Sequence, residues 1–393
     1  MQFDDLYTSF FRNAERTASS FFDAIADTFA GEPDHLRDGT EFEPVVLPRD
    51  LAAHSNVQTE WWYYTGHGRG DRGLDFGFEL VFFKRRTDLD RFSIVPLRLI
   101  GNPYYFAHFA VTDKSSGKFR YAHRKSSNGL LDLRAAAGRT HYYLSLGDWS
   151  AREAGGSHIL RASLDGSSAF EASLTPKKPP VLNGASGVSF KDEGQASRYF
   201  SYTRMEMEGD ITLNGRLEHF RGEAWMDREF GTWSPTENQK GWDWFSIQLD
   251  DNSELMLYQI RDSHGLPTGY SMGSFNDSDE SVEKINPEDF EIEVTGTWTS
   301  PRSAAEYPSG WRINVPALSL ELEVEPVLED QELDTRGTTM IVYWEGACRV
   351  KGIKRGEPVN GNAYVELVGY DRTHEAPDLS RFLLGEQLAR FGF

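Results

Sequence analysis

One cysteine, Cys348, is all the thiol this chain carries. That excludes an intrachain disulfide and any zinc site built on cysteine pairs. Within "YWEGACRVKG" it reads as a small strand residue facing a core. Bases are scarce too: Lys and Arg total 41 against 61 Asp and Glu, a formal net charge of -20. Nucleic acid is therefore excluded as a partner, because binding it needs a basic surface. An anionic membrane surface is disfavoured for the same reason. No apolar run reaches the ~18 residues of a membrane-spanning helix. The opening "MQFDDLYTSFF" brings acids early where a secretion signal needs a continuous apolar stretch, so cytoplasmic residence is expected. "GHGRGDRG" lacks the Gly-Lys-Ser/Thr ending of a phosphate loop, and no Gly-x-Ser-x-Gly elbow occurs. The histidines are scattered rather than set at His-x-x-x-His spacing. No metal site is expected.

Aromatic residues are abundant, with 26 Phe, 16 Tyr and 10 Trp among 393 residues. Such a bias suits strands and apolar pockets. Residues 3–29 carry an apolar stripe at helical spacing (Phe3, Tyr7, Phe10, Ala14, Ala18, Phe21, Ile25, Phe29), closed by Gly31-Glu32-Pro33. This amphipathic helix is expected to pack on the body or on a second copy as a homodimer contact. A lid over a pocket and a peripheral membrane foot are the other readings, and its many acids disfavour the last. From residue 55 onward the pattern is strands with hairpin turns: "LDFGFELVFFKRR", "YYFAHFAVTDKSSGKFRYAHR", and "RYFSYTRMEMEGDITLNGRLEHFRGEAWMD" around an Asn-Gly turn. "KKPPVLNGASGVSFKDEGQAS" reads as a long loop. Strands every eight to twelve residues predict an all-β fold of two sandwiches or barrels. The expected division is a helix over 1–34, one β domain over 35–232 and a second over 233–393.

Two stretches combine aromatics with acids. "HSNVQTEWWYYTGHG" sets Glu60 before Trp61, Trp62, Tyr63 and Tyr64. "GEAWMDREFGTWSPTENQKGWDWFSIQLDD" holds Trp225, Asp227, Arg228, Glu229, Trp242 and Trp244. Strand alternation puts Glu60 with Trp62 on one face and Trp61 with Tyr63 on the other. It likewise puts Trp225, Asp227 and Glu229 opposite Met226 and Arg228. In the plain structural reading the acids pair with Arg228 or Arg261 and the tryptophans are core. In the functional reading an apolar surround raises a carboxyl pKa until it holds a proton near neutrality.

These segments, together with "FGFELVFF", "YFAHFAVTD", "YPSGWRINVP" and "GNAYVELVGY", fall in one order over residues 50–371. They resemble the lipocalin-like family of carotenoid 1,2-hydratase (hydroxyneurosporene synthase) and the AttH-like proteins. The resemblance implies two tandem lipocalin-like antiparallel β-barrels, an apolar cavity near their junction and no cofactor. Hydratase members add water to an isolated double bond of an acyclic carotenoid. Fungal Diels-Alderases look like distant relatives on the same scaffold. Carried onto this chain, Asp227 matches the aspartate of the Trp-x-Asp-x-x-x-Gly segment as the acid, while Glu60 and His108 match the N-terminal elements. Arg228 stands where the family often has His, and a fixed positive charge there is expected to lower the Asp227 pKa.

The expected function is a cofactor-free enzyme acting on an apolar polyene, terpenoid or polyketide by acid-promoted alkene hydration or cyclisation. The expected catalytic residues are Asp227, Glu60 and His108. Trp62, Tyr64, Trp225, Glu229, Trp242 and Trp244 are expected to hold the hydrophobic substrate, their ring faces favouring a developing cation. The alternatives are a non-catalytic carrier of a hydrophobic ligand and a pericyclase in which cavity shape replaces acid catalysis.

Overall fold

The computed structural model describes residues 43–371, apart from 89–90, 93–94, 97–101, 128–133 and 234–237. The expected N-terminal helix lies outside the described residues. Nine long strands build the centre of the molecule: β1 (Thr59–Gly70), β2 (Asp75–Arg85), β3 (Tyr104–Asp113), β4 (Gln195–Leu213), β5 (Arg216–Gly231), β6 (Gln239–Leu249), β7 (Glu254–Asp262), β8 (Val342–Lys354) and β9 (Glu357–Val368). Shorter strands extend them into two antiparallel sheets, and among the described residues there is no α-helix.

The first sheet has thirteen strands. Its central order is β3, β2, β1, β5, β4, flanked by Lys118–Ser126 on one side and by a meander back to Ala135–Ala137 on the other. It curls until β3 approaches Tyr143–Leu146 near the far end of the path. The second, ten-stranded sheet runs through β7, β6, β9 and β8. Both halves are lipocalin-like: a near-barrel and a half-barrel, each closed over its own apolar core. Trp62, Tyr64, Phe78, Phe109 and Met226 lie in the first core; Phe245, Trp311, Trp344, Val365 and Cys348 lie in the second.

The turns are where the sequence placed them. Asn214 and Gly215 both have positive φ, 53° and 74°, the geometry of a two-residue hairpin turn, and they join β4 to β5. The stretch expected as a long loop departs from expectation. Within it, Val181–Leu182 and Val188–Asp192 pair with β4, so its glycines and prolines punctuate a ribbon rather than a free loop.

The central strands are buried on both faces. β3 is buried along its whole length, and the second half of β5 likewise. One face of each strand fills its own barrel; the other packs on the opposite sheet. That seam is held at one end by charge. Arg204 of β4 pairs with Glu254 of β7 (Nε to Oε1, 2.6 Å), and Lys178 bonds the same carboxylate (3.0 Å). Near the middle the sheets approach closely: a Cβ built on Gly77 of β2 would lie 2.6 Å from the Ala347 Cβ of β8.

Candidate active site

Register assembles the site. Ser201 (β4) is opposite Asp227 (β5), Asp227 is opposite Tyr63 (β1), Tyr63 opposite Val81 (β2), and Val81 opposite His108 (β3). The adjacent row on the same face runs Tyr199, Glu229, Trp61, Phe83. On the facing sheet a row runs Tyr258 (β7), Trp244 (β6), Glu366 (β9), Glu345 (β8). Between these rows lies a cavity of about 230 Å³ with an aromatic wall that includes Trp61, Tyr63, Phe83, Trp242, Trp244 and Tyr258. Asp227, Glu229 and Glu366 bring carboxyls to it, and His108 an imidazole. A second chamber of about 430 Å³ shares Trp233, Trp242, Tyr258 and Ile341 with the first and adds Lys191 and Met340. Met340 and Ile341 are partly exposed, so this chamber leads toward solvent.

Asp227 is buried and accepts three hydrogen bonds. Ser201 Oγ donates to Oδ1 at 2.5 Å, Trp225 Nε1 to Oδ1 at 2.6 Å, and Tyr199 Oη to Oδ2 at 2.5 Å. Burial nevertheless pushes its pKa up to about 7, against the lowering effect of those donors and with a smaller push from Glu229. Glu366 is also raised to about 7 by burial, with Asp227 and Glu229 adding to the rise, and accepts one bond from Trp242 Nε1 at 3.0 Å. Glu229 accepts from Ser197 and pairs with Lys191 at 2.8 Å. The Lys191 ammonium sits 4.4 Å from the centre of the Tyr258 ring. His108 bonds Tyr343 Oη through Nδ1 (2.8 Å), and burial holds its pKa well below the usual histidine value, so the ring is neutral near pH 7. Beneath the cavity, Tyr63 donates its hydroxyl to Glu345. Glu79, wholly buried, has neither carboxyl oxygen hydrogen-bonded among the described residues. Burial keeps Glu79 and Glu345 far above the ordinary carboxyl range, with Glu366 adding to both and Glu79 adding to Glu345.

The sequence-derived residues divide along the pleat. Asp227, Glu229, His108, Trp242 and Trp244 line the cavity. Trp225 stands behind it, bonded to Asp227 and packed edge-on against Trp244. Glu60, Trp62 and Tyr64 are elsewhere. They occupy the opposite face of β1, which turns into the first barrel, and the cavity takes Trp61 and Tyr63 instead. Glu60 is locked between Lys84 (2.8 Å) and Arg228 (2.5 Å), which hold its carboxyl well below the usual range despite burial. Arg228 therefore points away from Asp227, stacks on Trp62 at 3.9 Å and does not lower the Asp227 pKa as expected. Among the described residues no cluster of three or more His, Cys, Asp or Glu could hold a metal ion. Glu366, Tyr199, Ser201 and Lys191 were not anticipated. The signal for Tyr199 and Ser201 was present, since a strand entering an Asn-Gly hairpin must register against the strand carrying Asp227.

Two tandem lipocalin-like β units with a cavity between them define the class. The chain belongs to the AttH-like family, whose profile matches residues 38–370. It is similar to an AttH-type protein of Nitrosomonas europaea, at 30% identity and a TM-score of 0.75, over 85% of this chain and 100% of that one. It shares its fold with kievitone hydratase from Nectria haematococca, at 14% identity and a TM-score of 0.65, over 86% of this chain and 97% of that one. No curated protein matches the chain in sequence.

Proposed function

We propose that the protein is an enzyme that protonates an isolated alkene of a hydrophobic polyene, terpenoid or polyketide and then adds water or closes a ring. One observation carries the reading: Asp227 and Glu366 face one aromatic chamber from two different sheets, and among the described residues neither is paired to a cation. An unpaired carboxyl in an apolar surround keeps its proton to neutrality and can serve as a general acid. The ring faces of Trp242, Trp244 and Tyr258 would shelter the cation that protonation creates. Neutral His108, its Nδ1 bonded to Tyr343 and its Nε2 3.3 Å from Thr338 Oγ1, would serve as part of the chamber wall. Fold-sharing with a protein named a hydratase is consistent with this chemistry and does not identify a substrate.

The test incubates full-length protein with a panel of acyclic terpenes and carotenoid fragments in water enriched in heavy oxygen. Mass spectrometry then looks for a product that has gained one labelled water, or for a cyclic isomer. The expected result is a labelled alcohol or a ring-closed product that disappears when Asp227→Asn and Glu366→Gln are combined. Saturable binding of the same compounds without any product would instead establish a carrier. An isomer formed equally well by the double variant would establish a pericyclase.

A further inference from the structure

We infer that Glu366, and not Asp227, is the proton donor of this chamber, and that Asp227 acts as the carboxylate set against the developing cation. The inference rests on the acid-promoted reading above and assigns its parts.

The hydrogen bonds around Asp227 run in one direction. Trp225 Nε1 can only donate, and it donates to Oδ1. Trp244 Nε1 donates to Tyr199 Oη at 3.0 Å, which leaves the Tyr199 hydrogen for Asp227 Oδ2. Asn183 Nδ2 donates to Ser201 Oγ at 2.7 Å, which leaves the Ser201 hydrogen for Asp227 Oδ1. Ser274 Oγ in turn donates to Asn183 Oδ1 at 2.9 Å, fixing that amide. Two chains of donors and one indole thus converge on a single carboxyl. This is the arrangement that stabilises a carboxylate. A proton on Asp227 would take one of its remaining lone pairs and weaken the charge-assisted bonds that Ser201, Trp225 and Tyr199 make to it.

Glu366 has the opposite surroundings. Its only hydrogen bond among the described residues comes from Trp242, to Oε2. Its directly opposed cross-strand neighbour is another carboxyl, Glu345. Like charges in that position repel, so the pair cannot both ionise in a buried seam. From the facing sheet it is met by Asp227 and Glu229 of β5, with Glu79 of β2 beyond. Tyr63 of β1, Tyr343 of β8 and Tyr258 of β7 feel its charge. Of the cations around the two chambers, Lys191 is committed to Glu229, Arg85 of β2 donates to Thr59 Oγ1 at 2.7 Å, and Lys240 lines the outer chamber. Glu366 is also the more accessible of the two: it is half-buried and its open side is the cavity, whereas Asp227 is 4% exposed beneath its donors.

The step balances on this assignment. The alkene π pair takes the Glu366 carboxyl proton, forming a C–H bond and a tertiary cation, and Glu366 becomes a carboxylate. Asp227, in the carboxylate form that its donors favour, lowers the energy of that cation. The oxygen of a water closes on the cation, and its proton returns to Glu366, so acid and alcohol are both complete. In a cyclising reaction a second alkene supplies the pair in place of water, and the proton lost from the adjacent carbon restores Glu366.

Two measurements on the full-length protein decide the assignment. Infrared difference spectroscopy between pH 5 and pH 9 needs no substrate. Glu366→Gln should remove a protonated-carboxyl band that titrates near neutrality, while Asp227→Asn should retain that band and move its midpoint to lower pH by removing a neighbouring anion. Loss of the band in Asp227→Asn with its retention in Glu366→Gln overturns the proposal, whether or not any alkene is turned over. On an alkene that the wild type converts, Glu366→Gln should lower kcat at least about 100-fold, with partial return in Glu366→Asp. The fall of kcat above neutral pH should persist in Asp227→Asn. A Glu366→Gln enzyme within a few fold of wild type overturns the assignment while leaving the acid-promoted reading intact. An Asp227→Asn enzyme whose rate no longer depends on pH near neutrality does the same.

Discussion

Glu60 and Asp227 are both buried carboxyls on one pair of strands, β1 and β5, and they differ in almost everything else. Glu60 faces the interior of the first barrel, between Lys84 and Arg228, and accepts both bonds of the His54 backbone N–H at 3.1 Å. Asp227 faces the seam and is met by a phenol, a hydroxyl and an indole, none of them charged. The first carboxyl is fully paired and its ionisation supports the fold. The second is surrounded by neutral donors and opposes other carboxyls across a cavity. The side of the pleat that a buried acid leaves therefore decides whether it is charge-paired or set among neutral donors.

Breaking the Glu60 side should produce the largest effect. Glu60→Ala leaves Lys84 and Arg228 buried without their counter-charge and should destabilise the protein by about 3–5 kcal/mol, read from denaturant unfolding. The pH dependence of stability should then separate the two carboxyls by sign. Glu60 and Asp50 have lowered pKa values, so their stabilisation is present above the unfolded carboxyl range and lost as pH falls through it. Asp227 and Glu366 are raised to about 7, so their contribution is fully present below about pH 4 and is lost as pH rises toward and through 7. Urea midpoints across pH 3 to 9 should show both limbs, with Glu366→Gln flattening the neutral limb and leaving the acid limb in place.

Smaller changes sharpen the contrast. Tyr199→Phe removes one donor from Asp227 and the acceptor of Trp244, and should cost about 1–3 kcal/mol while raising the Asp227 titration midpoint, followed by carboxyl NMR. Cys348→Ala, in the second barrel's core and remote from both carboxyls, should cost only about 1 kcal/mol and leave both pH limbs unchanged.

Much of this was legible in the sequence, and the limits have physical causes. The strand-and-turn pattern gave the all-β class, and the family resemblance carried by the aromatic motifs implied the tandem lipocalin-like units. Alternation through "AWMDREFG" put Trp225, Asp227 and Glu229 on one face, the face that meets the second sheet. The same rule split β1 into two sets but could not say which set met the cavity. Both faces of that strand are aromatic and buried, so no polar side marks the outside. Glu79, Glu345 and Glu366 escaped notice for the converse reason. A single acid in an alternating strand such as "AYVELVGY" ordinarily faces water, and only the packing of one sheet on another turns it inward. Lys191 was hidden in a stretch whose glycines and prolines looked like loop.

Gly77 gives the seam a further meaning. No atom of Gly77 lines the chamber, yet its missing side chain is what lets β2 lie against Ala347. The gap between the two sheets is thus gauged from a point outside it, as the bite of a pair of pliers is set at the rivet. A methyl group there would act as a shim, spreading the jaws without touching anything held between them.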